Sequence, residues 1–146
     1  MVAELSLLSG LLANPVLTLV ALAVVVSQGL KLLLSGWAED GFEWRRLLEN
    51  GGMPSTHSCA VSACAVAVGL IDGWTSGLFA VAAVLATVVC YDAVTSRREV
   101  GRHAKLLNQL VGTSGVVHLR ERWGHSPAEV VAGISLGVAL AFMWLR

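Results

Sequence analysis

Charge is what this sequence has least of. Only 14% of its 146 residues are Asp, Glu, Lys or Arg, while 55% are hydrophobic. Soluble domains carry about 25% charged residues, so the supply is too small to coat a water-facing surface, and the composition implies lipid as solvent. Net charge is also missing: ten basic residues balance ten acidic ones, which argues against a nucleic-acid partner. Cysteine is scarce. Cys59, Cys64 and Cys90 form an odd set inside apolar runs and read as small buried hydrophobes rather than a disulfide or zinc framework. A basic n-region is absent too. Glu4 stands where one would begin, and the first long apolar run continues past Val26 without a small-residue cleavage site, so no cleavable signal peptide is expected.

What is abundant is apolar sequence, gathered in four stretches at 16–34, 59–71, 74–91 and 128–145. The expected fold is all-α: a polytopic membrane helical bundle, one domain over 1–146, with about four transmembrane helices near 15–34, 56–71, 74–93 and 127–145. A span takes about 20 residues at a rise of 1.5 Å each. The second stretch, even extended back to Ser55, covers only about 25 Å on that rise, so His57 is expected in a shallow recess. Asp72-Gly73 makes a tight turn between the second and third spans. From 97 to 111, Arg98, Arg102 and Lys105 recur at helical spacing opposite Val100, Ala104, Leu107 and Val111, as in an amphipathic helix lying in the interface. The stretch 2–13, broken by Ser9-Gly10, is expected as a second, shorter interfacial helix.

Four spans put both long polar connections on one side of the bilayer. Lys31, Arg45, Arg46, Arg97, Arg98, Arg102, Lys105, Arg120 and Arg122 belong to that side, and only Arg146 to the other. Basic loops stay in the cytoplasm. The expected location is therefore a cell (inner) membrane, with the polar loops facing inward.

Each of those loops ends in a histidine motif. The first is Gly51-Gly52-Met53-Pro54-Ser55-Thr56-His57-Ser58. Its glycines let backbone N–H groups approach an oxyanion, Ser55 and Thr56 begin a helix with a positive N-terminus, and His57 is a proton donor near neutral pH. A capped glycine loop with an incidental histidine explains the same residues. The second motif is Gly124-His125-Ser126-Pro127-Ala128-Glu129. Ser126, Pro127 and Glu129 suffice for a capping box. Alternatively, the Glu129 carboxylate fixes the His125 tautomer and leaves the other ring nitrogen as nucleophile. Between the motifs, Arg97 and Arg98 are candidate phosphate clamps or plain headgroup contacts. Asp92, at the end of an apolar helix, calls for a partner such as one of those arginines. Lys31 either reaches the same site or snorkels to the interface.

These motifs, with Tyr91-Asp92-Ala93, Gly101, Leu106-Leu107-Asn108, Val130 and Gly133 in order, resemble the divergent branch of the type-2 phosphatidic acid phosphatases, related to acid phosphatases and vanadium-dependent haloperoxidases. The resemblance covers almost the whole chain. It implies a membrane phosphoric ester hydrolase working through a phosphohistidine, without metal or cofactor. His125 would be the nucleophile, Glu129 its orienting carboxylate and His57 the acid that protonates the leaving alcohol. Lys31, Ser55, Thr56, Asp92, Arg97 and Arg98 would form the substrate-binding set. Three positions depart from the parent pattern: Thr56 replaces a glycine, no Arg-Pro follows Lys31, and Leu119 stands where an arginine precedes the nucleophile. The parent fold packs six helices, so a homodimer would complete the bundle. Asp92 and Glu129 are the carboxylates available to a Mg²⁺, which the implied chemistry does not require.

The expected activity is hydrolysis of a phosphomonoester or diphosphate on a lipid, of phosphatidylglycerophosphate, phosphatidate or polyprenyl phosphate type. The expected partners are that substrate and the membrane lipids. The alternatives are a non-catalytic protein that binds phosphorylated lipids or supports a partner complex, and a transporter built from two helical hairpins.

Overall fold

The computed structural model describes residues 9–10, 13–38, 52–111, 118–121 and 123–146. Most of the expected helix at 2–13, and the basic residues Arg45, Arg46 and Arg122, lie outside them. The regular structure of the described residues is all helical, without strands, in the order α1 (Pro15–Ala38), α2 (Thr56–Asp72), α3 (Gly77–Val94), α4 (Ser96–Val111) and α5 (Pro127–Leu145).

The starts of four of these helices are dictated by capping chemistry. Asn14 Oδ1 accepts the Val16 and Leu17 amides at 3.0 and 3.1 Å ahead of Pro15, and Ser55, Ser76 and Ser126 cap α2, α3 and α5. Each side chain satisfies a first-turn N–H that has no intrahelical partner. Trp74 and Thr75, part of the apolar run in sequence, fall in the turn, and α3 begins only after Ser76.

Pro15–Leu34, a stretch beginning at Gly77, and Pro127–Leu145 are long and apolar enough to cross a membrane. The 17-residue α2 is apolar but shorter than these. It lies at the centre, packed most extensively on α5 and also on α1 and α3. Eight of its residues are buried, so protein rather than lipid surrounds much of it and it need not match the hydrocarbon thickness by itself. By contrast, α3 buries only Ala93 and exposes Leu78, Val81, Leu85 and Val88.

Small residues make the close packing possible. Gly133, Gly137 and Ala141 form a buried stripe on α5. A β-carbon at Gly133 would strike the Ser55 carbonyl, and one at Gly137 the Cys59 carbonyl. Leu19 and Ala23 of α1 meet Cys59, Ala63 and Ala67 of α2 in the core. Van der Waals contact between closely approaching backbones drives association where lipid is as apolar as the side chains. Cys59 is one of these small core residues, its Sγ 3.7 Å from the Ala23 carbonyl, and all three cysteines are free.

Candidate functional site

The two histidine motifs meet because their helix starts are bonded together. The Ser55 amide donates to the Glu129 carbonyl at 3.0 Å, joining the cap of α2 to the first turn of α5. The His125 amide donates to the Ala93 carbonyl at 2.9 Å, fixing the second motif to the end of α3. His125 is 8% exposed and His57 is exposed, so one imidazole is buried and the other accessible.

Glu129 does both jobs between which the sequence leaves the choice open. Its Oε2 accepts the Ser126 amide at 3.1 Å and lies 3.0 Å from His125 Nδ1. The Ser126 hydroxyl in turn accepts the Glu129 amide, completing the capping box. A carboxylate oxygen has lone pairs for two donors, so capping and orienting need not compete. With Nδ1–H donating to Glu129, the lone pair of His125 is on Nε2.

Around His57 the field is positive. Arg97, His125 and Lys31 all lie within electrostatic reach of its imidazole. Lys31 is 8% exposed, and its Cε approaches Gly52, where a β-carbon would come within 2.9 Å; Gly52 also has φ +94°. The lysine therefore turns into the first histidine motif. Arg97 donates from Nε to Asp92 Oδ2 at 2.7 Å. Both side chains are about 40% exposed (44% and 37%), so the pair adds little stability but holds the guanidinium near His57. Arg98 is exposed one residue further along α4, and it is not among the groups that act on His57 within the described residues. Ser55 is fully buried, its Oγ 3.0 Å from the Ser58 hydroxyl and accepting the Ser58 amide at 3.4 Å. Thr56, half-buried, is the first residue of α2. Among the described residues no three His, Cys, Asp or Glu side chains gather as a metal site.

The segment that delivers His125 is tied to α4 at three points. Asn108 is the farthest from the site: its Nδ2 donates to the Leu119 carbonyl at 2.8 Å and to Glu121 Oε1 at 2.9 Å, and its Oδ1 accepts the Leu119 amide at 2.9 Å. Next, Gly101 admits the backbone of 121 and 123, where a β-carbon would lie 2.5 Å from the Glu121 carbonyl. Last, Gly124, at φ +83°, passes over the Arg98 amide at a distance no β-carbon permits. The stripe of α4 accordingly turns partly toward protein: Ala104 is buried, and Val100 and Leu107 line a cavity with His118, Leu119 and Trp123. Sequence reasoning gave Asn108 and Gly101 no role beyond the family pattern, since a clamp between distant segments has no local signature. Gln28 had a signal, being polar in an apolar span, and its buried Oε1 has no hydrogen-bond partner among the described residues.

Asn108→Ala is expected to release the 118–125 segment without unfolding the bundle, because the residue is only half-buried and lies outside the helix core. Faster trypsin cleavage after Arg120 and lost amide-exchange protection at Leu119 are the readouts; unchanged protection would show that the clamp does not hold the segment.

The sequence profile of the Divergent PAP2 family matches residues 12–140. A Bacillus subtilis (strain 168) protein described as "Uncharacterized membrane protein YuiD" is 32% identical over 157 aligned positions, covering 92% of this chain and 99% of that one. No solved structure matches. The profile spans nearly every described helix and both histidine motifs, and this multi-pass membrane protein belongs to the Divergent PAP2 family.

Proposed function

We propose that the protein is a lipid phosphatase that hydrolyses a phosphomonoester or diphosphate through a phosphohistidine, at the cytoplasmic face of a cell membrane. The observation that carries this reading is the buried His125 imidazole, its Nδ1 held 3.0 Å from Glu129, within electrostatic reach of an exposed His57 on which Arg97 and Lys31 also act. In the first step His125 Nε2 attacks phosphorus, the bond from phosphorus to the lipid oxygen breaks, and His57 gives its proton to the departing oxygen. Glu129 stabilises the positive charge that develops on His125. In the second step His57, now neutral, takes a proton from water as the water oxygen attacks phosphorus, and the N–P bond breaks to release phosphate. Arg97 and Lys31 neutralise the phosphoryl oxygens, and the first backbone amides of α2, after Ser55 and at Thr56, face the same anion. Asp92 positions Arg97, and Arg98 extends the cationic rim.

The substrates to test are phosphatidylglycerophosphate, phosphatidate and a polyprenyl diphosphate in vesicles with the purified full chain. Phosphate release, together with an acid-labile, base-stable phosphoryl group trapped on His125 by a brief pulse of labelled substrate, is the expected result. Leu119 favours one rival: it replaces a parent arginine, and its backbone is clamped by Asn108. A protein that only binds phosphorylated lipids would retain these substrates saturably, release no phosphate and trap no label.

A further inference from the structure

A groove of about 610 Å³ runs between α3 and α5 with α2 as its floor. Ala83, Ala86 and Val94 of α3 face Val130, Ile134 and Val138 of α5 across it. The few polar atoms that line it make little demand on an occupant. The Thr87 hydroxyl, for instance, already donates to the Ala83 carbonyl at 2.8 Å. Among the described residues no charged side chain lines it.

Its two ends differ. At one end are Tyr91, Val94 and Pro127; these neighbour, in the chain, Asp92 with its bound Arg97, Ala93 with the His125 amide on its carbonyl, and Ser126 of the capping box. At the other end stand Trp74 and Phe79, their rings edge to face at 5.1 Å. Trp74 is seated on Gly69, where a β-carbon would meet its ring at 2.5 Å, so the indole packs directly against the α2 backbone. From Phe79 to Val94 the groove extends roughly 20 Å along the helix rise.

We propose that this groove is the binding site for one hydrocarbon chain of the substrate, with Trp74 and Phe79 forming its end wall. The occupant is an amphiphile because the uncharged apolar channel ends at Tyr91 and Val94, chain neighbours of Asp92, which holds Arg97, and of Ala93, whose carbonyl anchors His125. A chain in the bilayer is already out of water, so what the groove adds is close van der Waals contact along its length, a gain that short-chain phosphates forgo. The end wall sets a limit on that gain, so affinity rises with chain length until the chain reaches the aromatic pair. This inference rests on the reading that the phosphate sits between His57 and His125.

The test uses the full chain in phosphatidylcholine vesicles with a phosphatidate carrying a diazirine near the end of one acyl chain. Photolysis is expected to label Phe79, Ala83, Ile134 and Val138, with competition by dioleoyl but not by dihexanoyl phosphatidate. Ala86→Phe, which fills the channel, is expected to cut labelling at least tenfold. Leu85→Phe, on the exposed face beside it, is expected to leave labelling unchanged. Circular dichroism checks that both fold, and Ala83→Leu replaces Ala86→Phe if the larger ring prevents folding. Label spread evenly over Leu78, Val81 and Leu85, or label insensitive to Ala86→Phe, would each overturn the proposal. The phosphatase reading fails separately: groove labelling without phosphate release leaves the chain site standing and removes the hydrolase. Phosphate release with no groove labelling, and with equal kcat/KM for dihexanoyl and dioleoyl phosphatidate, does the reverse.

Discussion

Replacing His125 by alanine is expected to lower phosphate release by at least about 10³-fold, the scale of loss when a catalytic nucleophile is removed. The same substitution is expected to leave the fold standing. The bond that anchors the second motif runs from the His125 backbone amide to Ala93, and alanine keeps that amide. Glu129 loses one donor but keeps the Ser126 amide on the same oxygen, so the start of α5 stays capped. Because the imidazole is buried, alanine leaves a space of its shape beside a carboxylate, and added imidazole is expected to restore part of the rate. A merely structural histidine would not give that rescue. Phosphate release from His125→Ala at the parent rate would sink the phosphohistidine mechanism. His57→Ala is expected to act differently, slowing esters with poor leaving groups by about 10²- to 10⁴-fold, as loss of a general acid does, while trapping more phosphoryl group on His125 from a substrate with a good leaving group.

The sequence already contained the elements that depend on periodicity and capping. Apolar runs placed the helices, and Ser126, Pro127 and Glu129 announced a helix start that the structure shows as a complete capping box. Asp92 in an apolar context announced a charged partner, which is Arg97. What could not be read is contact across distance. Whether Glu129 caps or orients was undecidable from spacing, because the answer depends on which way the His125 ring turns, and the ring turns so that one oxygen serves both. Lys31 could have snorkelled outward; it lies against Gly52 because α1 packs beside the start of α2, and no local pattern encodes that neighbour. Likewise the amphipathic stripe of α4 indicated an interfacial helix but not that Gly101 and Asn108 would carry the segment leading to His125.

The same dependence on packing makes Gly137 the position where the smallest change should do the greatest structural damage. Its missing side chain lets α5 rest on the Cys59 carbonyl of α2. Even one methyl group there must push two helices apart, and overpacking of a tight interface costs about 1–3 kcal/mol. Gly137→Ala is expected to lower the unfolding free energy in detergent by about that amount, and Gly137→Leu to prevent assembly of the bundle. Gly29→Ala is the matched control: it lies inside α1 with nothing within 4 Å of a β-carbon, so the substitution should be neutral or slightly stabilising through helix propensity. Equal effects at 29 and 137 would show that helix propensity, not the close approach, governs both. Gly133, one turn nearer the site, adds a functional consequence. A β-carbon there meets the Ser55 carbonyl, and Ser55 is the residue whose amide is bonded to Glu129. Gly133→Ala should therefore displace the two histidine motifs relative to each other, lowering kcat by a larger factor than its loss of stability explains. A Gly133→Ala protein that is destabilised but keeps its full kcat would show that the contact between α2 and α5 holds the bundle together without setting the alignment of the site.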